Sequence, residues 1–191
     1  MSTGVVPDSI VEGARRALEL HGAAGITLER VAAEAGVSRM TLHRHGVSKE
    51  AILLALAVRL EAEYRDAMWQ ALVSDGSARE RLRRALELEC HVAEANLDLL
   101  DALSSGARDE VFHERGGRRL TRPVFVEPLK KLLREGAGDG SLAPVDVDET
   151  ATVLFNLVGH TYRHLRAGHG WSSTRARSSV VRLAMEGVTA R

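Results

Sequence analysis

The sequence reads as an all-α fold on three grounds. Apolar residues recur at three- and four-residue steps through most of the 191-residue chain. No segment alternates apolar and polar residues as a half-buried strand does, and aromatic residues make up only 4%. Ser or Thr stands ahead of several periodic segments, with glycine behind them, where helices start and stop. The length fits one domain or a small module on a larger one, and the reading below divides the chain into 1–47 and 48–191.

The first helix is expected over about 9–21, where Ile10, Ala14, Ala17 and Leu18 share a face, Ser9 and Glu12 fit a capping box, and Gly22 follows. Thr27 is placed to cap a two-turn helix carrying Leu28, Val31 and Ala32 inward before Gly36. Ser38 is placed to cap a third, through about His45, anchored by Val37 and Leu42 and broken at Gly46. Ser48 opens a long helix over 49–72, with Ile52, Leu53, Leu56, Leu60, Tyr64 and Met68 along one face. A Ser77–Glu80 capping box opens a helix expected to run to about Leu103, where Ser104-Ser105-Gly106 interrupts it. Gly116-Gly117, Pro123 and Pro128 then divide the chain into a short helix near 108–114 and a second ending at Gly136; 136–144 reads as loop. Helices over about 148–166 and 173–189 close the chain.

With 45% apolar and 27% charged residues, the composition is that of a globular protein. No run approaches the roughly 18 apolar residues of a membrane span, and the start has neither a basic nor an apolar leader region. A cytoplasmic location without a membrane partner is expected. Cys90 is the one cysteine, which excludes an internal disulfide and a Cys-rich zinc module. The 26 basic and 26 acidic residues balance, against a general electrostatic binder of nucleic acid, though not against local contacts. Only Lys49, Lys130 and Lys131 among the basic residues are lysines, so well-placed cations would be planar, bidentate guanidinium groups.

The stretch 27–49, TLERVAAEAGVSRMTLHRHGVSK, has helix-turn-helix spacing. Ala32 is small enough for the second short helix to approach the first, Val37 and Leu42 bury that helix, and Arg39, Met40, Thr41, His43 and Arg44 are left outward. Such a helix fits a major groove roughly 12 Å wide.

These fifty residues resemble the DNA-binding domain of the TetR (tetracycline-repressor) family. The likeness lies in LELHGAAGIT at the end of the first helix, ERVAAEAGVSRMTLHRH in the helix-turn-helix, and Ser48-Lys49-Glu50 at the start of the fourth helix. It covers about a quarter of the chain; the remainder matches the family in layout only. The resemblance implies that Thr27 caps the second helix and touches phosphate, that Arg39, Thr41 and Arg44 read bases, and that Lys49 contacts phosphate. Ser38, Met40 and His45 complete the implied DNA-binding set. His43 stands where the family usually has Tyr, and Gly46 where it usually has an apolar core residue, which implies weaker packing behind the recognition helix. If His43 and His45 lie on phosphate, DNA affinity should rise as pH falls from about 8 to about 6.

One short helix-turn-helix reads few base pairs, so a two-fold dimer is expected, with recognition helices about 34 Å apart on a palindromic operator. The closing helices are the expected homodimer surface. Val153, Leu154, Leu157, Val158, Thr161 and Leu165, with Gly159 permitting close approach, and Val180, Val181, Leu183, Ala184 and Val188 exceed what one buried stripe requires. In the 77–103 helix, Glu89 and Asn96 interrupt an apolar stripe two turns apart. They suggest a small-molecule site walled by Met68, Trp69, Cys90, Phe112, Phe155 and Tyr162, with a preference for a cationic or hydrogen-bonding ligand. The other reading of that stripe leaves both at its wet edge.

His160 and His164 are spaced i, i+4 as a metal site would require. They lack an identified third ligand; His91, His113, Glu89 and Glu94 complete a set only if their helices converge. No metal and no cofactor is expected, and no catalytic residue is assigned. The leading reading is a ligand-responsive transcriptional regulator, a repressor released from its operator by a small molecule. The alternatives are a constitutive DNA-binding dimer with a filled core, and an enzyme using Glu89, His91 or His160. The absence of a G-x-S-x-G elbow, a phosphate-binding Gly loop or HExxH weighs against the enzyme.

Overall fold

The computed structural model describes residues 6–103, 111–113 and 121–189, and among these the regular elements are helical, with only isolated bridges at His113–Thr121 and Leu142–Thr189. In chain order the helices are α1 (Asp8–His21), α2 (Leu28–Ala35), α3 (Arg39–Arg44), α4 (Lys49–Leu72), α5 (Ala78–Ala95), α6 (Leu97–Ala102), α7 (Pro123–Asp139), α8 (Val147–Arg163) and α9 (Ser173–Val188). A 3-10 turn, Gly22–Gly25, follows α1, and a π turn, His164–Gly168, follows α8. The helix expected near 108–114 falls largely outside the described residues.

Two compact units emerge from packing: one formed by the chain up to Leu60 with Asn96–Val111, the other by Glu61–Ala95 with Phe112–Arg191. The division falls inside α4, beyond the boundary at residue 47 that the motif suggests. Arg59 explains part of this, since it pairs with Glu12 and Asp8 and so ties the first half of α4 to α1. α6 packs on the 3-10 turn and on α1 and thus returns to the first unit.

Several expected boundaries shift for identifiable reasons. α1 begins at Asp8 behind Pro7, whose fixed φ starts the helix without a side-chain cap. The Ser9–Glu12 capping box does not form, because Glu12 is drawn to Arg15 and Arg59, which hold its carboxyl below the usual range. The long helix expected over 77–103 is two helices. Asn96, with φ −121° and ψ 19°, leaves helical geometry and starts α6. α7 accommodates Pro123 at its first turn and Pro128 within, and continues through Gly136 to Asp139, so much of the expected 136–144 loop is helix. Leu142 packs over Gly136, at which a Cβ would come within 2.4 Å of its side chain.

The first unit buries Ile10, Val11, Ala14, Ala17 and Leu18 of α1 against Val31, Ala32 and Leu42, with Ile52, Leu53 and Leu56 from α4 also in its core. In the second unit α5 is packed by α7, α8 and α9. Leu82, Leu86, Leu129, Leu132, Leu133, Val158 and Ala176 are essentially inaccessible there.

Candidate nucleic-acid interface and the buried carboxyl

The helix-turn-helix is closed by three local devices. The Thr27 hydroxyl accepts from the Arg30 amide at 3.3 Å and caps α2. Gly36, at φ 68° and ψ 28°, ends α2 in the left-handed region, and the Val37 amide reaches back to the Ala32 carbonyl at 3.0 Å. Ser38 Oγ accepts from the Thr41 amide at 3.1 Å and lies 2.9 Å from Thr41 Oγ1. Leu42 is fully buried and anchors α3, whereas Val37 is only half-buried.

The opposite side of α3 is open. Arg39, Met40, His43 and Arg44 are exposed, Met40 to 72%, with His45 and Lys49 beyond them; Thr41 is half-buried. The Thr27 and Ser38 hydroxyls are therefore already engaged in capping and that of Thr41 is bonded to Ser38, so the exposed chemistry lies with the longer side chains. Arg39 is held by an ion pair to Glu29 of α2 at 2.7 Å, between exposed groups. Sequence reasoning misses that partner, since only a charge of opposite sign on the preceding helix hints at it. Gly46 corrects the expectation of lost core packing: it faces solvent at φ 64°, and a Cβ there would meet nothing within 4 Å. Val47, next in the chain, is the buried residue, its amide bonded to the Leu42 carbonyl at 3.0 Å.

In the second unit Glu89 is 3% exposed, and neither carboxylate oxygen has a hydrogen-bond partner among the described residues. Burial raises its pKa well above the usual carboxylate range, tempered by the nearby Gly159 backbone. The lack of a side chain at Gly159 of α8 matters here: a Cβ would stand 3.1 Å from Glu89 Oε1. Tyr64, Phe125, Phe155 and Phe112 form a ring cluster with neighbouring centroids 5.2–6.0 Å apart. Tyr64 donates to the Phe125 carbonyl at 2.8 Å, and its hydroxyl is pushed to higher pKa by burial and then by the Glu89 charge.

Of the wall residues expected from sequence, Met68, Cys90, Phe155 and Tyr162 are buried and Phe112 is half-buried. Two are not brought together with Glu89. Trp69 is 65% exposed, because it lies about 100° around α4 from the buried Met68. Asn96 sits at the helix break and belongs with the first unit, so it does not continue the α5 face that carries Glu89. The cluster gains Tyr64 and Phe125, which periodicity marks only as core positions. Tyr162 donates to Glu94 Oε2 at 2.8 Å, and Arg166 makes a two-toothed pair with the same carboxylate, both contacts at 2.7 Å. Arg166 holds Glu94 below its usual range, and burial raises the Tyr162 and Cys90 pKa values.

His164 faces His169 rather than a metal set, with Nε2 atoms 3.2 Å apart, and among the described residues no group of three or more His, Cys, Asp or Glu side chains is arranged to hold a metal ion. α8 is apolar on two sides, Leu154, Phe155 and Val158 inward and Val153 and Leu157 outward; Leu183 of α9 is also exposed. No helix among the described residues is long and apolar enough to cross a membrane.

Residues 10–56 match the model of bacterial regulatory proteins of the tetR family. No curated protein matches the chain. Among solved structures, a protein from Saccharomonospora viridis in complex with choline is 24% identical, with 96% of this chain and 97% of that chain covered and a TM-score of 0.73. FadR from Bacillus subtilis in complex with stearoyl-CoA is 18% identical, with coverage of 94% and 98% and a TM-score of 0.69. The TetR-family regulator PfmR from Thermus thermophilus is 22% identical, with coverage of 93% and 97% and a TM-score of 0.66. The chain thus shares its fold along nearly its whole length with these regulators.

Proposed function

We propose, from the match of residues 10–56 to the model of bacterial regulatory proteins of the tetR family, that the chain is a ligand-responsive transcriptional repressor. It acts in the cytoplasm, binds a palindromic operator as a homodimer and is released by a small molecule. The observation that carries this reading is α3, capped by Ser38, pinned by buried Leu42 and presenting Arg39, Met40, His43 and Arg44 to solvent. Such a helix enters a major groove with its N-terminal residues toward base edges. Arg39 and Arg44 are the base-reading cations, with Thr41 beside them; Lys49 and the imidazoles of His43 and His45 meet phosphate, together with the amides at the capped start of α2.

Functionally, residues 1–47 are the reading head and 48–191 the ligand-binding and dimerisation part. α4 runs without interruption from Lys49 to Leu72 and is the covalent connection between them. The outward Val153, Leu157 and Leu183 of α8 and α9 supply the dimer surface. An effector is supported by the buried, unpartnered Glu89 and by fold neighbours solved with choline and with stearoyl-CoA. The effector acts by favouring the dimer arrangement that no longer matches the operator.

The test is selection of bound duplexes from a random pool at fixed salt, followed by salt titration of the selected site. A two-fold symmetric site is expected. Arg39→Ala should cost about 1–3 kcal/mol and relax preference at one position of each half-site, while Lys49→Ala should weaken all sequences alike and lower the salt slope by about 1. Wild-type affinity and specificity in Arg39→Ala would remove that residue from base reading, and failure to select any sequence would remove the regulator reading itself.

A further inference from the structure

Glu89 is an ionisable group placed where a pure core would carry an apolar residue. It is 3% exposed, both oxygens lack a partner among the described residues, and α8 has no side chain at position 159, where a Cβ would crowd Oε1. No charged side chain among the described residues is paired with it, and the polar group that favours its ionised form is the Gly159 backbone. From α4 comes the Tyr64 hydroxyl, committed to the Phe125 carbonyl, and on α5 itself Cys90, a buried thiol. From α8 the Tyr162 hydroxyl turns to Glu94. From α9 Arg177 lies 3.1 Å from His91, and from α7 Lys130 pairs with Glu127 and Asp148 and Glu135 with Arg81. Tyr64 is close enough for the Glu89 charge to raise its hydroxyl pKa, Phe155 stands one turn before Gly159 on α8, and Phe125 packs against both rings, with centroids 5.2 Å away; such rings carry negative electrostatic potential on their faces.

We propose that Glu89, with the rings of Tyr64, Phe125 and Phe155, is the receptor for a small organic ammonium cation. A carboxylate and ring faces both repel an anion, and both attract an alkylammonium group, which brings the counter-charge that the core lacks. Phe155 and the half-buried Phe112 are the rings of the cluster nearest solvent, and the cation enters on their side. Burial favours the protonated Glu89 carboxyl in the free protein, and a bound cation favours the ionised one. Binding then releases about one proton, and affinity rises up to about tenfold per pH unit while the free carboxyl remains protonated. The role of this cation as effector rests on the regulator reading; its binding does not.

The experiment is calorimetric titration of the full chain, without DNA, with choline and with n-butylammonium, each in two buffers of different ionisation enthalpy between pH 6 and 8. The neutral choline isostere 3,3-dimethylbutan-1-ol is the control. Saturable binding of at least one cation with release of about one proton is expected, with affinity rising with pH and the neutral alcohol at least about tenfold weaker without proton release. Glu89→Gln, close to isosteric with the protonated acid, should remove the proton release and weaken the cation at least about tenfold. Should that variant not fold, the proton count and the cation-to-alcohol ratio of the wild type decide alone. No saturation by either cation, equal binding of the alcohol, or binding without proton release overturns the proposal. An operator selected by a protein that binds neither cation would sink this inference and leave the regulator standing; cation binding without any selected operator would do the reverse.

Discussion

The reading head and the core around α5 are each chemically incomplete, in opposite ways. On α3 the open groups face solvent: Arg39 and Arg44 are exposed, and Arg39 rests on Glu29 in an ion pair that solvent screens. Around α5 the open group is Glu89, with no partner among the described residues to offset its burial. An exposed cation waits for a phosphate or base at almost no cost, whereas an orphaned buried polar group costs about 1–3 kcal/mol of stability. The first unit can therefore be both stable and reactive, while the second gives up stability at Glu89.

Three measurements probe that contrast. The largest effect is expected from Leu42→Ala, which empties the fully buried anchor of α3. It should destabilise the first unit by about 2–5 kcal/mol in chemical denaturation and abolish operator binding while the second unit keeps its helical signal. A loss under about 1 kcal/mol would mean that α3 is not held through this residue.

Next comes the pH dependence of stability. Because the Glu89 pKa is raised in the folded state, the unfolded chain releases this proton first as pH rises past the ordinary carboxylate range. The folded state therefore loses stability with rising pH across that window, until the raised pKa is passed. Relative to Glu89→Gln, the wild type should fall by up to about 1.4 kcal/mol per pH unit there. Glu94, held low by Arg166, works in the other direction, its contribution being present above the unfolded pKa and lost as pH falls through the folded one. Parallel stability curves for wild type and Glu89→Gln would show that folding does not raise the Glu89 pKa.

The smallest effect belongs to a cap. Thr27→Ala removes the acceptor of the Arg30 amide and should cost about 1 kcal/mol, seen as faster hydrogen exchange in the first turn of α2. Unchanged exchange would place the start of α2 on its packing alone.

Local signals make the first unit legible. Thr27, Ser38 and Gly36 act within three or four residues of themselves, so their roles are readable from spacing, as are those of Ser77 and Glu80, whose reciprocal bonds of 2.8 and 3.3 Å form as expected. The Ser9–Glu12 box has the same local signature and fails, because Arg59, distant in sequence, competes for Glu12. The break at Asn96 is equally hidden. Apolar periodicity runs through it unbroken, and only the packing of Leu99 and Leu100 in the other unit separates α6 from α5.

The all-helical class, the position and caps of the helix-turn-helix, its outward side chains and the presence of one acid within an apolar stripe are all written in the order of residues, since periodicity and bonds a few residues long fix them. Other features exist only once the chain has closed: Glu89 stripped of side-chain partners among the described residues, Tyr64 within reach of its charge in place of Trp69 and Asn96, and Arg39 leaning on Glu29. These depend on which faces of distant helices meet, and burial of a charge becomes decisive only when the structure around it shuts out solvent.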